Sequence, residues 1–131
     1  MPSACSQIVS HLVVVLAAAG AMAIAPASAA EDPVKGGVLF EQCTACHSLE
    51  AGKNDPAPTL HDLFGRRSAS EDFTYSPAMR RANIAWTPEL LDAFLADPQG
   101  GAFRGNRMPF AGIPDAQART DLIAFLKQAT R

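Results

Sequence analysis

The sequence feature that most restricts how this chain can fold is the run Cys43-Thr44-Ala45-Cys46-His47. Two thiols one helical turn apart can each add to a vinyl group of haem, and the histidine that follows can ligate the iron from the same side. A domain of about 100 residues with long loops buries only a modest apolar core, and a haem in its middle would supply the missing bulk. The run therefore predicts a small fold around covalently attached haem, and a chain that is largely unfolded without it.

Three other interpretations of the same run stay open. A Cys-x-x-Cys pair is also typical of a thioredoxin-like redox disulfide, although no alternating strand and helix pattern surrounds this one. The run could form half of a zinc site, but zinc takes four ligands and the chain after residue 30 offers only Cys43, Cys46, His47 and His61. A plain structural disulfide or a chance match is the third interpretation. We favour haem attachment because of the segment that precedes the run and the residues that follow it.

The first 30 residues have the composition of a targeting segment, with no Asp, Glu, Lys or Arg and an apolar run over residues 12–25. Small residues recur at the −3 and −1 positions of a cut after Ala29 or after Ala30. We therefore predict that residues 1–30 are a cleavable secretory signal peptide and that the mature protein is periplasmic. A retained membrane anchor is the alternative, although a typical span needs about 20 apolar residues. Cleavage removes Cys5, which leaves only the two cysteines of the haem motif.

The charges all lie after that segment and are nearly balanced. Lys and Arg number 11 against 13 Asp and Glu, which gives a formal net charge of −2. A protein that binds nucleic acid is expected to show a basic excess, so we expect no nucleic-acid partner. The charges of one sign are also too few for a disordered chain. With 131 residues in total, the sequence predicts one domain, over residues 31–131.

Helix signals and loop signals alternate along this domain. Short polar residues followed by proline are typical of helix starts, and glycine-rich stretches are typical of loops. Residues 50–59 and the segment 99–112 around Met108 have loop composition, and no convincing strand is found, which predicts an all-α fold. Helices are predicted from Pro33 to Cys43, after Ser76-Pro77, after Thr87-Pro88 with an end at Asp97-Pro98, and after Asp115.

Short runs along the chain, taken in order, resemble those of a known family. From Gly36 to Lys127 the chain is similar to the class I c-type cytochromes, and among these to the group of mitochondrial cytochromes c and bacterial cytochromes c2. The cysteine motif alone would indicate only covalent haem, whereas the ordered set is far more specific. The runs that carry the resemblance are Cys43-Thr44-Ala45-Cys46-His47, Pro58-Thr59-Leu60-His61, Leu63-Phe64-Gly65-Arg66, Phe73-Thr74-Tyr75-Ser76, Trp86, Gly105-Asn106-Arg107-Met108, Phe110-Ala111-Gly112-Ile113 and Arg119-Thr120-Asp121-Leu122-Ile123-Ala124-Phe125-Leu126-Lys127.

The resemblance implies the class I cytochrome c fold. In this fold four to five short helices and their loops wrap around one covalently bound haem c, and the first and last helices are in contact. The pattern places Gly36 and Phe40 of the first helix against Leu122 and Phe125 of the last. Glycine at such a crossing permits the two helices to approach closely.

The resemblance also assigns the residues that hold the haem. It implies His47 and Met108 as the axial ligands of the iron, and Cys43 and Cys46 as the points of attachment. The backbone carbonyl of Pro58 would accept the proton of the other imidazole nitrogen, which fixes the ring and its basicity. Three side chains fall on positions that hydrogen-bond a haem propionate, and a fourth falls where a hydroxyl residue often helps them; these are Arg66, Tyr75 and Trp86, and Asn106.

Several positions depart from the family or need a separate interpretation. Met79 is the other methionine that remains after cleavage, and we expect it to fill the core, as lone methionines commonly do. The family often has asparagine at that position, and often has tyrosine where this chain has Phe94, so both changes remove polar groups near the haem. Glu71 and Asp72 replace a glycine-containing turn, and that loop is expected to follow a different path. His61 is expected to be a structural or surface residue.

Histidine and methionine ligation would fill both axial positions of the iron and leave none for a substrate. The implied function is that of a monomeric one-electron carrier, not an enzyme, which shuttles electrons between respiratory or photosynthetic redox complexes. Its partners would be redox proteins such as a membrane cytochrome complex, an oxidase, a reductase, a reaction centre or a dehydrogenase. Two alternatives stay open: a haem enzyme or gas-binding sensor with a labile methionine ligand, and a dedicated electron-transfer subunit of a dehydrogenase.

Overall fold

The computed structural model describes residues 30–131, so the predicted signal peptide lies outside the described residues except for its last position. The fold is helical, as the sequence predicts. Its helices are α1 (Pro33–Phe40), α2 (Pro77–Ala82), α3 (Pro88–Ala96) and α4 (Ala116–Ala129), with 3₁₀ turns at Glu41–Cys43 and Gly101–Phe103. Within residues 30–131 the β pairing is limited to an isolated bridge between Arg67 and Ala85. In the same range no helix combines the length and the apolar character needed to cross a membrane.

The predicted helix starts are confirmed, because each has a short polar side chain that caps it. Ser76 and Thr87 accept hydrogen bonds from the backbone N–H groups of Met79 and Leu90, each at 3.2 Å. Proline occupies the first turn of both helices. Asp115 caps α4 in the same way, at 2.7 Å. These caps satisfy N–H groups that the first turn of a helix leaves without a partner.

Helices α1 and α4 cross in direct contact, because α1 has a glycine at the crossing. A Cβ placed on Gly36 would lie 2.0 Å from the carbonyl oxygen of Asp121 and 2.8 Å from the Cβ of Phe125. Phe40 packs on Phe125 with ring centroids 5.2 Å apart. Leu122 lies in the same interface region and is only 1% exposed. The predicted contact between the first and last helices is confirmed.

A buried carboxylate joins the same two helices at the start of α1. Asp121 of α4 is 3% exposed. Its Oδ1 accepts the backbone N–H of Asp32 at 2.9 Å and the side-chain amide of Gln117 at 2.8 Å. Asp32 is the N-cap of α1, and hydrogen bonds from Lys35, first of all from its backbone N–H, lower the pKa of the Asp32 carboxyl. The beginning of α1 is thereby fixed to the middle of α4.

Three aromatic rings form the core between α3 and the second 3₁₀ turn. Trp86 stacks on Phe103 with centroids 5.5 Å apart and ring planes 7° apart. Phe94 of α3 meets Trp86 and Phe103 edge-on, at 5.4 and 4.9 Å. The sequence predicts an extended loop over residues 99–112, whereas the structure has a 3₁₀ turn at Gly101–Phe103. This turn carries Phe103 into the cluster, where the ring is buried.

Candidate haem site

The two cysteines lie on the turn that follows α1. The sequence predicts one helix up to Cys43, but α1 ends at Phe40 and the chain tightens into the 3₁₀ turn Glu41–Cys43. The backbone N–H groups of Cys46 and His47 then donate to the carbonyl of Cys43, at 3.1 and 2.8 Å. This tight winding places the two cysteines and His47 on one continuous turn. Both cysteines are free thiols, with Cys43 half-buried and Cys46 exposed.

The surroundings of Cys43 differ from those of a redox-active thiol. Burial raises the pKa of the Cys43 thiol, and the nearby Cys46 raises it further. A thioredoxin-like pair uses a thiolate whose pKa is lowered. The direction of the shift at Cys43 is the opposite one. A zinc site is not supported either, because in the described range no three His, Cys, Asp or Glu side chains come together to hold a metal ion.

His47 is fixed in the tautomer that leaves one nitrogen available to a metal. Its Nδ1 lies 2.8 Å from the carbonyl oxygen of Pro58. A carbonyl only accepts hydrogen bonds, so Nδ1 must be the donor, and in the neutral imidazole Nε2 then keeps its lone pair. A hydrogen bond of this kind also orients a ligating imidazole and raises its basicity. The geometry is therefore the one that the resemblance implies for His47 and Pro58.

The loop that presents the Pro58 carbonyl is held by the next residue. Thr59 is 1% exposed. Its hydroxyl lies 2.7 Å from the carbonyl of Glu50 and 3.2 Å from that of Ser48. Its backbone N–H donates to the side chain of Asn54 at 2.8 Å. Because these bonds fix residues 58–60 to the chain that follows the cysteine motif, the His47 ring has a rigid support.

The segment that carries Met108 is fixed by a buried asparagine. The Asn106 amide donates to the carbonyls of Pro98 and Phe103, the latter at 3.2 Å, and its Oδ1 accepts the backbone N–H of Met108 at 2.8 Å. The Met108 side chain is half-buried and packs against the core. Both amide hydrogens of Asn106 are used inside the protein, so neither is left for a propionate. The geometry favours a role in positioning Met108 over the propionate contact that the resemblance implies.

The far end of the Met108 segment is anchored to α3. The backbone N–H of Ile113 donates to the carbonyl of Leu95 at 2.7 Å. Gly112 precedes it with a φ of 97°, and a Cβ there would lie 2.9 Å from the carbonyl oxygen of Ala96. Only glycine fits both this backbone conformation and this close approach. Met108 is thus held between an asparagine on one side and a helix end on the other.

Arg66 is turned toward the loop that supports His47. Its guanidinium donates to the carbonyls of Thr59, at 2.7 Å, and of His61, and forms an ion pair of 3.2 Å with Glu71. An arginine side chain has more N–H groups than these contacts use, so a further acceptor such as a propionate fits as well. The structure thus adds Glu71 as a partner that the resemblance does not include.

Tyr75 and Trp86, the other two side chains assigned to a propionate, are both buried. Burial raises the pKa of the Tyr75 hydroxyl above its ordinary value. The Trp86 ring stacks on Phe103 and meets Phe94 edge-on. Among residues 30–131 no buried side-chain nitrogen or oxygen is left without a hydrogen-bond partner. A propionate oxygen as the acceptor of the indole N–H therefore stays a prediction from the resemblance.

Met79 and His61 lie where the sequence places them. The Met79 side chain is half-buried against the core, on α2. His61 Nε2 lies 3.4 Å from the carboxylate of Asp62, in a partly exposed pair. Two residues of the site are missed by sequence reasoning, namely Asn54 and the pairing partner of Arg66. The only signal for Glu71 is an acidic residue five positions after Arg66 in a loop where the family has a glycine-containing turn.

The donors gathered here fit a haem attached to the chain: two free thiols, an imidazole nitrogen with an available lone pair, and a thioether on a fixed segment. Comparison with known proteins agrees. The family model for cytochrome c matches residues 33–130. The chain is 44% identical over 110 residues to cytochrome c2 of Blastochloris viridis, which covers 82% of this chain and 85% of that protein. It is 40% identical over 100 residues to cytochrome c-550 of Ancylobacter novellus, with 72% and 92% covered.

A eukaryotic relative shows the same likeness. Cytochrome c of Theileria annulata is 39% identical over 101 residues, which covers 76% of this chain and 87% of that protein. The match to the family model extends from the first residue of α1 to the end of α4 and so includes every residue of the site described above. The chain therefore belongs to the cytochrome c family, within the c2-like group of class I c-type cytochromes, and is an electron-carrier cytochrome with one covalently attached haem c.

Proposed function

We propose that this chain is an exported, periplasmic carrier of single electrons in which His47 and Met108 ligate the haem iron. The chemistry that the bound haem supplies is the change between ferrous and ferric iron. The observation that carries the proposal is the 2.8 Å hydrogen bond from His47 Nδ1 to the Pro58 carbonyl, beside two free thiols. It gives one chain segment both the means of attachment and an oriented ligand.

The support for Met108 as the second ligand is that its position is fixed by other residues. Asn106 holds its backbone N–H, and the Ile113 bond to Leu95 holds the segment that follows. An electron carrier works best when the ligands barely move between oxidation states, because any rearrangement adds to the barrier for electron transfer. A site with a fixed ligand on each side and no open position suits electron transfer and does not suit binding of a substrate.

The positive charges near Met108 suggest where a redox partner docks. Arg104 and Arg107 are exposed on either side of Asn106, close in sequence to the proposed ligand. Long-range attraction between such charges and an acidic partner steers encounter without forming a tight complex. We propose redox proteins as the partners, with docking at the arginine-bearing segment. A monomer is the form that leaves this face free.

The ligands are tested by comparing two methionine variants of the haem-loaded protein. A weak far-red absorption band reports the bond between methionine sulfur and ferric iron. We expect Met108→Ala to abolish the band and Met79→Ala, the matched control on α2, to retain it. The reverse pattern would assign the ligand to Met79.

The choice between carrier and ligand-binding protein is tested with carbon monoxide. A ferrous protein with both axial positions filled is expected to bind carbon monoxide slowly or not at all at neutral pH, whereas Met108→Ala opens a position and should bind it rapidly. Rapid binding by the unaltered protein would instead indicate an enzyme or a gas sensor. Export is tested by the N-terminal sequence of the protein purified from periplasm, which is expected to begin at Ala30 or Glu31.

A further inference from the structure

Arg66 is the only arginine that the resemblance directs at the haem, and it lies in a small polar cluster. The other members of the cluster are Asn54, Thr59, Glu71 and Tyr75. Its centre is the ion pair between Arg66 and Glu71, at 3.2 Å, with the two side chains 15% and 23% exposed. A fully exposed ion pair contributes little and is screened by salt. This pair is mostly shielded from water, so its charges act on neighbouring groups over a longer range.

Glu71 is built into the network that supports His47. Its second oxygen accepts the amide of Asn54 at 3.4 Å, and the Asn54 oxygen accepts the backbone N–H of Thr59 at 2.8 Å. The Arg66 guanidinium donates to the carbonyl of Thr59 at 2.7 Å. Thr59 directly follows Pro58, whose carbonyl holds the His47 ring. The carboxylate is therefore held in a defined place, only a few hydrogen bonds away from the proposed iron ligand.

We propose that Glu71 is a potential-setting residue, which lowers the reduction potential of the haem by neutralising Arg66. The inference rests on the proposed function, because Glu71 is paired with Arg66, the arginine that the resemblance directs at the haem. Reduction adds one electron and so removes one positive charge from the site. A nearby carboxylate stabilises the ferric form, and a nearby guanidinium destabilises it. Paired at 3.2 Å, the two charges largely cancel, whereas without Glu71 the site would contain one negative charge fewer beside Arg66.

Reduction of the haem iron needs one electron and no chemistry at Glu71. A donor protein loses one electron and the iron gains it, with no bond made or broken and no proton required from Glu71. The pair acts only through its charge. Tyr75 adds no charge of its own near neutral pH, because a tyrosine hydroxyl is protonated there, and burial raises its pKa further. The effect of Glu71 is therefore electrostatic and has a definite sign: its loss favours reduction.

The test is the equilibrium constant for reduction of the haem-loaded protein, measured by spectroscopic redox titration. Glu71→Gln keeps the size of the side chain and removes its charge, and we expect this constant to rise on the order of tenfold, as one unit charge shifts a neighbouring equilibrium in a partly shielded site. Asp72→Asn is the matched control, since Asp72 is exposed and takes part in no ion pair among residues 30–131. We expect it to change the constant less than about twofold.

A second substitution protects the test against a folding defect. Glu71→Ala removes the same charge without introducing an amide, so it must shift the constant in the same direction. Glu71→Asp retains the charge and should bring the constant back toward that of the unaltered protein. If the role of Glu71 were merely structural, these variants would have a lower unfolding midpoint. Their equilibrium constants for reduction would then not rise with loss of the charge and return when the charge is kept.

The outcomes separate this inference from the proposed function. If Glu71→Gln shifts the equilibrium constant no more than Asp72→Asn does, or favours oxidation, the inference is overturned. The proposed function is judged on other results. If His47 and Met108 ligate the iron of the unaltered protein, that protein shows the far-red band and does not bind carbon monoxide rapidly, whatever Glu71→Gln does. Loss of those two properties in the unaltered protein would refute the proposed function, while the charge effect of Glu71 on the iron would remain measurable.

Discussion

Replacing Gly36 by alanine is expected to lower the free energy of unfolding by about 1–3 kcal/mol. The new Cβ would lie 2.0 Å from the carbonyl oxygen of Asp121, far inside an ordinary carbon–oxygen contact of about 3.3 Å. The oxygen belongs to the backbone of α4 and cannot rotate away, so the two helices must separate. Overpacking costs about 1–3 kcal/mol, and a loosened aromatic pair about 0.5–1.5 kcal/mol. The better helix propensity of alanine offsets about 1 kcal/mol of this.

The assay is unfolding of the haem-loaded protein in guanidinium chloride, followed by circular dichroism. With a slope of about 3 kcal/mol per molar, the midpoint is expected to fall by about 0.3–1 M. Gly37→Ala is the control on the same helix, because its Cβ would lie 3.3 Å from the edge of the Phe125 ring, which can move. We expect this variant to be at least as stable as the unaltered protein, because the same gain of about 1 kcal/mol in helix propensity is opposed only by a ring that can move. Equal stability of the two variants would refute the argument that backbone contact at Gly36 sets the helix crossing.

Three further outcomes are expected. Asn106→Ala removes the hydrogen bonds that hold the Met108 segment, so we expect the free energy of unfolding to fall by about 2–3 kcal/mol. The far-red band should also disappear at a lower temperature than in the unaltered protein. A band that is as heat-resistant as before would contradict this role of Asn106. Since burial raises the pKa of Tyr75, its neutral form stabilises the fold fully below about pH 10, and this contribution is lost as pH rises through the raised pKa. Unfolding midpoints above pH 10 should therefore fall less steeply in Tyr75→Phe. The double variant Cys43→Ala, Cys46→Ala is expected to be largely unfolded by circular dichroism, and a cooperative native-like thermal transition would contradict that.

The helix starts could be predicted because their causes are local. Ser76, Thr87 and Asp115 cap the helices that begin directly after them, and the proline that follows two of them has its ring in the first turn. No distant residue is needed to explain these boundaries. The sequence predicts a first helix that runs on to Cys43, whereas α1 ends at Phe40. The change from α-helix to 3₁₀ turn at Glu41 depends on how the cysteine motif winds, which the apolar spacing does not encode.

The partners of the polar side chains could not be predicted, because they come from distant parts of the chain or from carbonyl groups. Asn106 uses its amide on the carbonyls of Pro98 and Phe103, and a carbonyl leaves no trace in the sequence. The pairing of Arg66 with Glu71 depends on the path of the loop between them. The resemblance supplied the expected role of Arg66 but not this partner, because Glu71 is a departure from the family.

The crossing of α1 and α4 also has a consequence for the timing of assembly. The chain is synthesised from α1 towards α4, so Gly36 and Phe40 have no partner surface until the end of the domain has been made. The cysteine motif comes directly after α1 and is synthesised just as early. Its thiols are therefore present before the first helix has a partner surface. Only when α4 packs on α1 is the first helix covered. The last helix to be made therefore sets the time at which the fold around the cysteine motif can close.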